Sequence, residues 1–324
     1  MVVKIELNQR RQLKEANAQF YEIQVFHPKG YYPSGLFLTD KGFFYADEDI
    51  AFSAVVEKPW TIEEGLPYSE VDWMGRELVR LLGSFIITDS FSYGGKSLFY
   101  PILNACFQAV PEVKKSYSSK ELAETIKSSL LNYFKEHADN LHQVNKVKEC
   151  INTRYNLYTL NGEELAYQKI GWKSIDPEVH LMTRGFQAIV KSDMLSTYPE
   201  FIEEAALAMF ISLDASFELV RRELKQNGIQ SPTSQDAGDW LYENFEQDLG
   251  FEKVIGLKYF EDFYSQRVQT VHPGSRYGDS PYAVLSVDDL YHLRNSLPSL
   301  YGFLATGKHS PSFVREVDER AMRL

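Results

Sequence analysis

The chain has 324 residues, 44% of them apolar and 24% charged, which is ordinary globular composition with enough length for two cored domains. No window holds 18 uncharged apolar residues, so no membrane span is expected. The start, MVVKIELNQRRQLKEANAQF, does not read as a signal peptide, and Cys106 and Cys150 are too few for a disulfide framework, so a soluble cytoplasmic protein is expected. The net charge of −11, about −3 over residues 1–176 and about −8 over 177–324, excludes a protein that coats nucleic acid by charge alone.

In chain order, QFYEIQVF (19–26) and GLFLTDKGFFYADE (35–48) are aromatic-rich, and the second reads as two short strands around an Asp-Lys-Gly turn. AFSAVVE (51–57) and SFIITDSFSY (84–93) continue the strand pattern. The aromatic residues of 19–48 are read either as core or as a surface on which bases stack. Residues 118–143 form the first strong helix, capped by Ser118 or Ser119, with Leu122, Ile126, Leu130, Tyr133 and Phe134 at helical spacing. RYNLYTLNGEELAYQKIGW (154–172) reads as a hairpin about Asn161-Gly162. These features predict an α+β protein whose N-terminal domain, residues 1–175, is β-rich with helical insertions.

Pro177 disfavours helix at Asp176, and beyond it the pattern becomes almost wholly helical, defining a second domain over 176–324. Residues 198–228 predict a long helix with Pro199 near its start and Asn227-Gly228 at its stop. A short helix is expected within 231–250, and a third over 251–271 with Val254, Leu257, Phe260, Tyr264 and Val271 along its apolar face. The last runs over 286–307, kinked or split by Pro298, and is followed by a charged tail expected to be mobile or to fold against a partner.

The segment YSQRVQTVHPGSRYG (264–278) carries the candidate chemistry. Arg267 follows Tyr264 by three residues and Phe260 by seven, so it projects along the apolar stripe. There a guanidinium must reach the stripe's edge, pair with a carboxylate or face a cleft. His272 is five positions on, about 500° around an ideal helix and hence on another face. Pro273 pushes His272 out of helical geometry, which ends the helix near Val271 and frees the imidazole to swing round. One permanent planar cation and one group titrating near neutrality suit a phosphate. The structural alternative is a solvated arginine paired with a neighbour such as Asp262, and a histidine that terminates the helix.

With its helix order, this Arg-x(4)-His motif resembles the HEPN superfamily, helical bundles carrying Arg-x(4–6)-His late in the domain, over about residues 178–307. The resemblance implies an all-α HEPN-like bundle and a homodimer in which two motifs face each other. It further implies metal-independent cleavage of single-stranded RNA in a defence, toxin or stress system. Arg267 and His272 would be the catalytic pair, with Arg276, Gln269 and His292 as candidate substrate contacts, and no metal or cofactor is called for. Val268 departs from the family, which often has Asn or Asp directly after the arginine. A catalytically silent module for dimerisation, partner or nucleotide binding is the other reading of the same resemblance.

The remaining motifs read as structure. Gly94-Gly95-Lys96-Ser97 lacks the earlier glycine of a phosphate loop, since Ser90 stands there. His137, His142 and Cys150 lack ligand spacing. Arg276 and Asp279 are read as a mutual pair. Asp288, Asp289, His292 and Arg294 are read as charge compensation at a helix start plus a solvated face, with His292 able to line a cleft.

Overall fold

The computed structural model describes residues 5–7, 19–57, 75–88, 97–109, 119–137, 150, 153–253 and 287–323. The chain is α+β, with an antiparallel sheet in its N-terminal part and helices in its C-terminal part. It divides into two compact units, residues 1–78 with 97–160, and residues 79–96 with 161–324.

The first unit holds β1 (Ile5–Leu7), β2 (Gln19–Phe26), β3 (Tyr31–Pro33), β4 (Gly35–Leu38), β5 (Gly42–Ala46) and β6 (Ala51–Glu57). After helix α1 (Arg76–Ile86) it resumes with β7 (Pro101–Ala109), α2 (Ser119–His137) and β8 (Asn156–Tyr158). Six strands make an antiparallel sheet in the order β1-β7-β2-β6-β5-β4, and β3 and β8 form a separate parallel pair. Alternation in the strands puts Tyr21, Ile23 and Val25 of β2, Phe43 and Tyr45 of β5, and Phe52 and Ala54 of β6 into one core. Ala123, Ile126, Leu130 and Phe134 of α2, at steps of three and four, complete that core. The strand expectations for 19–26, 35–48 and 51–57 therefore hold, as does the helix over 119–137; residues 118 and 138–143 of that expected helix lie outside the described residues. Gly42, which closes the Asp-Lys-Gly turn, sits at φ 153°, and a Cβ there would lie 1.9 Å from the Ala54 carbonyl oxygen.

Seven aromatics of residues 19–48, Tyr21, Phe26, Tyr32, Phe37, Phe43, Phe44 and Tyr45, are buried, and Tyr31 is half-buried. Phe26, Tyr32 and Phe44 are fully buried, with the Phe26 and Phe44 rings 5.6 Å apart. The Tyr155 hydroxyl donates to the Phe26 carbonyl (2.8 Å) and the Tyr32 hydroxyl to that of His27 (2.7 Å). Elsewhere in this unit Tyr45 donates to Asp47 (2.8 Å) and Glu124 (2.9 Å), while Lys127 bonds Asp47 and Asp49. Burial works against the Asp47 charge, but the Lys127 and Tyr45 hydrogen bonds outweigh it and hold the carboxyl below its usual range.

The second unit contains α3 (Gly162–Ser174), α4 (His180–Leu195), α5 (Ile202–Gln226, entered through a 3-10 turn at Pro199–Phe201) and α6 (Ser234–Leu241). A five-residue π-turn, Tyr242–Glu246, extends α6, and α7 (Val287–Thr306) and α8 (Pro311–Ala321) end the chain. The long helix expected within 198–228 is α5, and Gly228 takes φ 99° just beyond its end. The last expected helix is α7, assigned as one element through Pro298.

Four sequence expectations are corrected. Residues 84–86 are the end of helix α1, not a strand: Leu78, Leu81, Leu82 and Phe85 recur at helical spacing, a period that the short run from Ser84 conceals. α1 packs on α3, with Arg80 4.2 Å above the Trp172 ring and donating to its carbonyl (2.7 Å), and Gln168 donating to Ser84 (2.8 Å). Asn161-Gly162 is a helix start rather than a hairpin turn. Asn161 accepts from the Glu164 backbone (2.9 Å) and Glu164 accepts from the Asn161 backbone (3.0 Å), a capping box.

Phe251–Lys253, the expected start of the third helix, is not helical, and the rest of that helix, 254–271, lies outside the described residues. The charged tail folds on its own chain as α8. Ser310 caps it, Phe313 is buried, and Arg315 donates to Glu164 (3.1 Å), so one carboxylate both caps α3 and holds α8.

Candidate functional site

Four of the five sequence-predicted site residues, Arg267, Gln269, His272 and Arg276, lie outside the described residues, as do Asp262, Val268 and Asp279. The fifth, His292, is exposed on the second turn of α7, beside Tyr291, which is 56% exposed. The described structure bearing on the motif is thus the helix that begins at Val287, directly after the segment 254–286.

α7 is fixed along its length by contacts to three helices. Near its start Arg294, 7% exposed, forms a two-point ion pair with Asp193 of α4, Nε to Oδ1 at 2.6 Å and Nη2 to Oδ2 at 3.0 Å. This corrects the expectation that Arg294 belongs to a solvated face. Its neighbours Leu290, Leu293 and Leu297 are buried, so position 294 faces the interior, and the fork is held by a carboxylate that is itself buried.

Two turns on, Tyr301 packs at a tilt against Phe186 of α4, rings 5.1 Å apart, and donates to the Ser212 carbonyl of α5 (2.6 Å). Residues 186 and 193 on α4 meet 301 and 294 on α7 in opposite order, so the two helices run antiparallel. Gly185 admits the tyrosine, since a Cβ there would lie 2.0 Å from its hydroxyl. Burial raises the Tyr301 hydroxyl far above the usual phenol range. At the far end Tyr167 of α3 donates to the Lys308 carbonyl (2.9 Å), and burial pushes its hydroxyl up to about 12.

A second histidine is invisible to motif reading. His309, in the turn between α7 and α8, lies flat on Phe313 (4.3 Å, 19° between planes). Phe303 is 4.8 Å away and Phe245 edge-on at 5.1 Å. Its Nδ1 is buried with no hydrogen-bond partner. Burial lowers its pKa, with the Asp248 charge acting the other way, so the imidazole is neutral at pH 7. Trp240 and the π-turn residue Phe245 close the ring cluster against Phe303. The turn places Phe245 among these rings, and Asn244 donates to the Trp240 carbonyl (2.7 Å). This histidine can take up a proton below neutrality, and its surroundings make it a clamp between α7 and α8. No spacing rule reveals it, because its partners come from three separate segments.

Among the described residues, no group of three or more His, Cys, Asp or Glu side chains could hold a metal ion, and no helix is long and apolar enough to cross a membrane. Comparisons with protein-family models, with curated proteins and with solved structures give no match.

Proposed function

We propose that the chain is a metal-independent endoribonuclease of the HEPN type that cuts single-stranded RNA as a cytoplasmic homodimer in a defence, toxin or stress system. The observation that carries this reading is the sequence Arg267-x(4)-His272-Pro273-Gly274, which falls after the long helices α4 and α5 and before α7. Asp193 and Phe186 of α4 and the Ser212 carbonyl of α5 hold α7, the helix that follows the motif, and this bracing supports the reading.

In this reading RNA supplies the nucleophile, its own 2′-hydroxyl. His272 moves a proton near pH 7, and Arg267 holds the scissile phosphate and stabilises the charge of the five-coordinate transition state. The products are a 2′,3′-cyclic phosphate and a 5′-hydroxyl. A two-fold dimer doubles both groups in one cleft. The first unit, with its closed aromatic core, would select the target or sense a trigger.

A second reading, a catalytically silent HEPN-like module for dimerisation or for binding a partner or nucleotide, is favoured by Val268 beside the motif arginine and by the charge of about −8 over 177–324. Cleavage of end-labelled single-stranded RNA in EDTA, compared among wild type, Arg267→Ala and His272→Ala, separates the two. The nuclease reading expects cleavage by wild type and its loss in both folded variants. Cleavage that persists in both, or is absent from a folded dimeric wild type, goes against it.

A further inference from the structure

Residues 177–324 carry about −8, so this part of the chain can hold a polyanion only through a focused group of cations. α4 presents such a group. Its exposed residues, His180, Arg184 and Lys191, are all basic and follow one another at steps of four and seven. On an ideal helix the three fall within about 40° of one another and span about 17 Å, with the half-buried Gln187 on the same stripe. The one acid of α4, Asp193, lies on the opposite, buried face and is held by Arg294.

Arg221, Arg294, Arg315 and Arg320 each meet a carboxylate. Arg184 and Lys191 make no ion pair among the described residues. The surrounding acids are Asp176 and Glu178, ahead of the helix, and Glu203, Glu204, Asp214 and Glu218 of the packed helix α5. None of them pairs with either cation, and their charge limits affinity without filling the stripe.

We propose that this face of α4 holds the phosphate backbone of single-stranded RNA. Arg184 brings a planar fork and Lys191 a point charge to phosphate oxygens, and His180 adds a ring N–H donor. At about 3.4 Å per phosphate the stripe matches about five stacked nucleotides. It exposes no apolar side chain. A protein partner needs an apolar or aromatic centre, and a helix lying in a membrane needs large apolar residues to insert, so a linear polyanion suits this face best. Contacts to the backbone alone fix a strand without reading its bases. The ligand is taken from the nuclease reading, but the claim concerns binding and does not involve Arg267 or His272.

Fluorescence anisotropy of the full chain tests it, with a short labelled strand of 2′-O-methyl RNA, which lacks the 2′-hydroxyl nucleophile. Wild type should bind uridine and adenosine strands alike and weaken between about 50 and 200 mM salt. Arg184→Gln with Lys191→Gln should bind about tenfold less tightly at the lower salt, with a log–log salt slope shallower by about 1.4. Arg184→Lys should keep the slope. Lys169→Gln with Lys173→Gln removes the same charge from the exposed side of α3 and should bind as wild type. No binding by wild type, an α4 variant that binds as wild type does, an equal loss in the α3 variant, or equally tight capture by anionic vesicles or polyglutamate would overturn the proposal. Stripe-dependent binding by a chain that cuts no RNA would sink the nuclease reading and leave the stripe standing, and cutting and binding untouched in the α4 variant would do the reverse.

Discussion

Removing one member of the Asp193–Arg294 pair should damage the helical unit far more than removing both. The two residues are 5% and 7% exposed and joined at two points, 2.6 and 3.0 Å. Arg294→Met leaves the Asp193 carboxylate buried without its partner, and Asp193→Leu strands the guanidinium. Breaking a buried pair in this way costs about 3–5 kcal/mol. Asp193→Leu with Arg294→Met puts two apolar side chains of similar bulk in the same space, and such replacements are close to neutral. The double variant should therefore recover at least about 2 kcal/mol relative to the sum of the singles, the signature of direct coupling.

Urea unfolding followed by far-ultraviolet circular dichroism, which the helical unit dominates, gives the four stabilities. Hydrogen exchange of α4 and α7 amides assigns the loss to this unit, since a two-unit chain need not unfold in one step. Single variants that each cost under about 1 kcal/mol, or a double variant equal to the sum of the singles, would refute the argument that the pair is buried and mutually dependent.

His309 should make the α7–α8 junction acid-sensitive. Its folded pKa is depressed, so the unfolded chain binds the extra proton first; stability is full above about 6.5 and falls as pH drops through 6.5 towards the folded value. His309→Phe should remove that slope in thermal melts between pH 7.5 and 5, and an unchanged slope would show that another group sets it. Gly185→Ala places a Cβ 2.0 Å from the Tyr301 hydroxyl and should cost about 1–3 kcal/mol in urea unfolding; Tyr301→Phe in the same chain should recover part of it. Asn161→Ala removes half of the α3 capping box and should cost about 1 kcal/mol in urea unfolding.

The strands at 19–26 and 35–48 are legible in the sequence because runs rich in aromatic residues, which favour strands, flank turn residues such as Asp40-Lys41-Gly42. α2 and α5 are legible through strong periodicity between clear start and stop signals. The misreadings came where two local signals compete. Asn-Gly favours both a hairpin turn and a helix start, and Glu164, three residues on, decides for the helix. In α1 the apolar run from Ser84 fits a strand by itself, and the helical period emerges only with Leu78, Leu81 and Leu82 before it.

The tail looked too charged to fold. Its order depends on Phe313 and on Glu164, 151 residues away, and no local pattern contains such a partner. Arg294 was misplaced likewise, since its burial is acceptable only because of Asp193, 101 residues earlier. Of the candidate site, the motif is a property of the sequence, while the bracing of α7 and the ring cluster around His309 depend on tertiary contacts.

The central claim is that Arg267 and His272 cut RNA through its 2′-hydroxyl, and the ends of the products report on it most directly. Wild-type chain incubated with single-stranded RNA in EDTA should yield a 2′,3′-cyclic phosphate and a 5′-hydroxyl. A single 2′-deoxy substitution at the cut position should block cleavage, as should Arg267→Ala and His272→Ala in folded chains. A 3′-hydroxyl with a 5′-phosphate, cleavage across the deoxy position, or unchanged cutting by both variants would contradict the account.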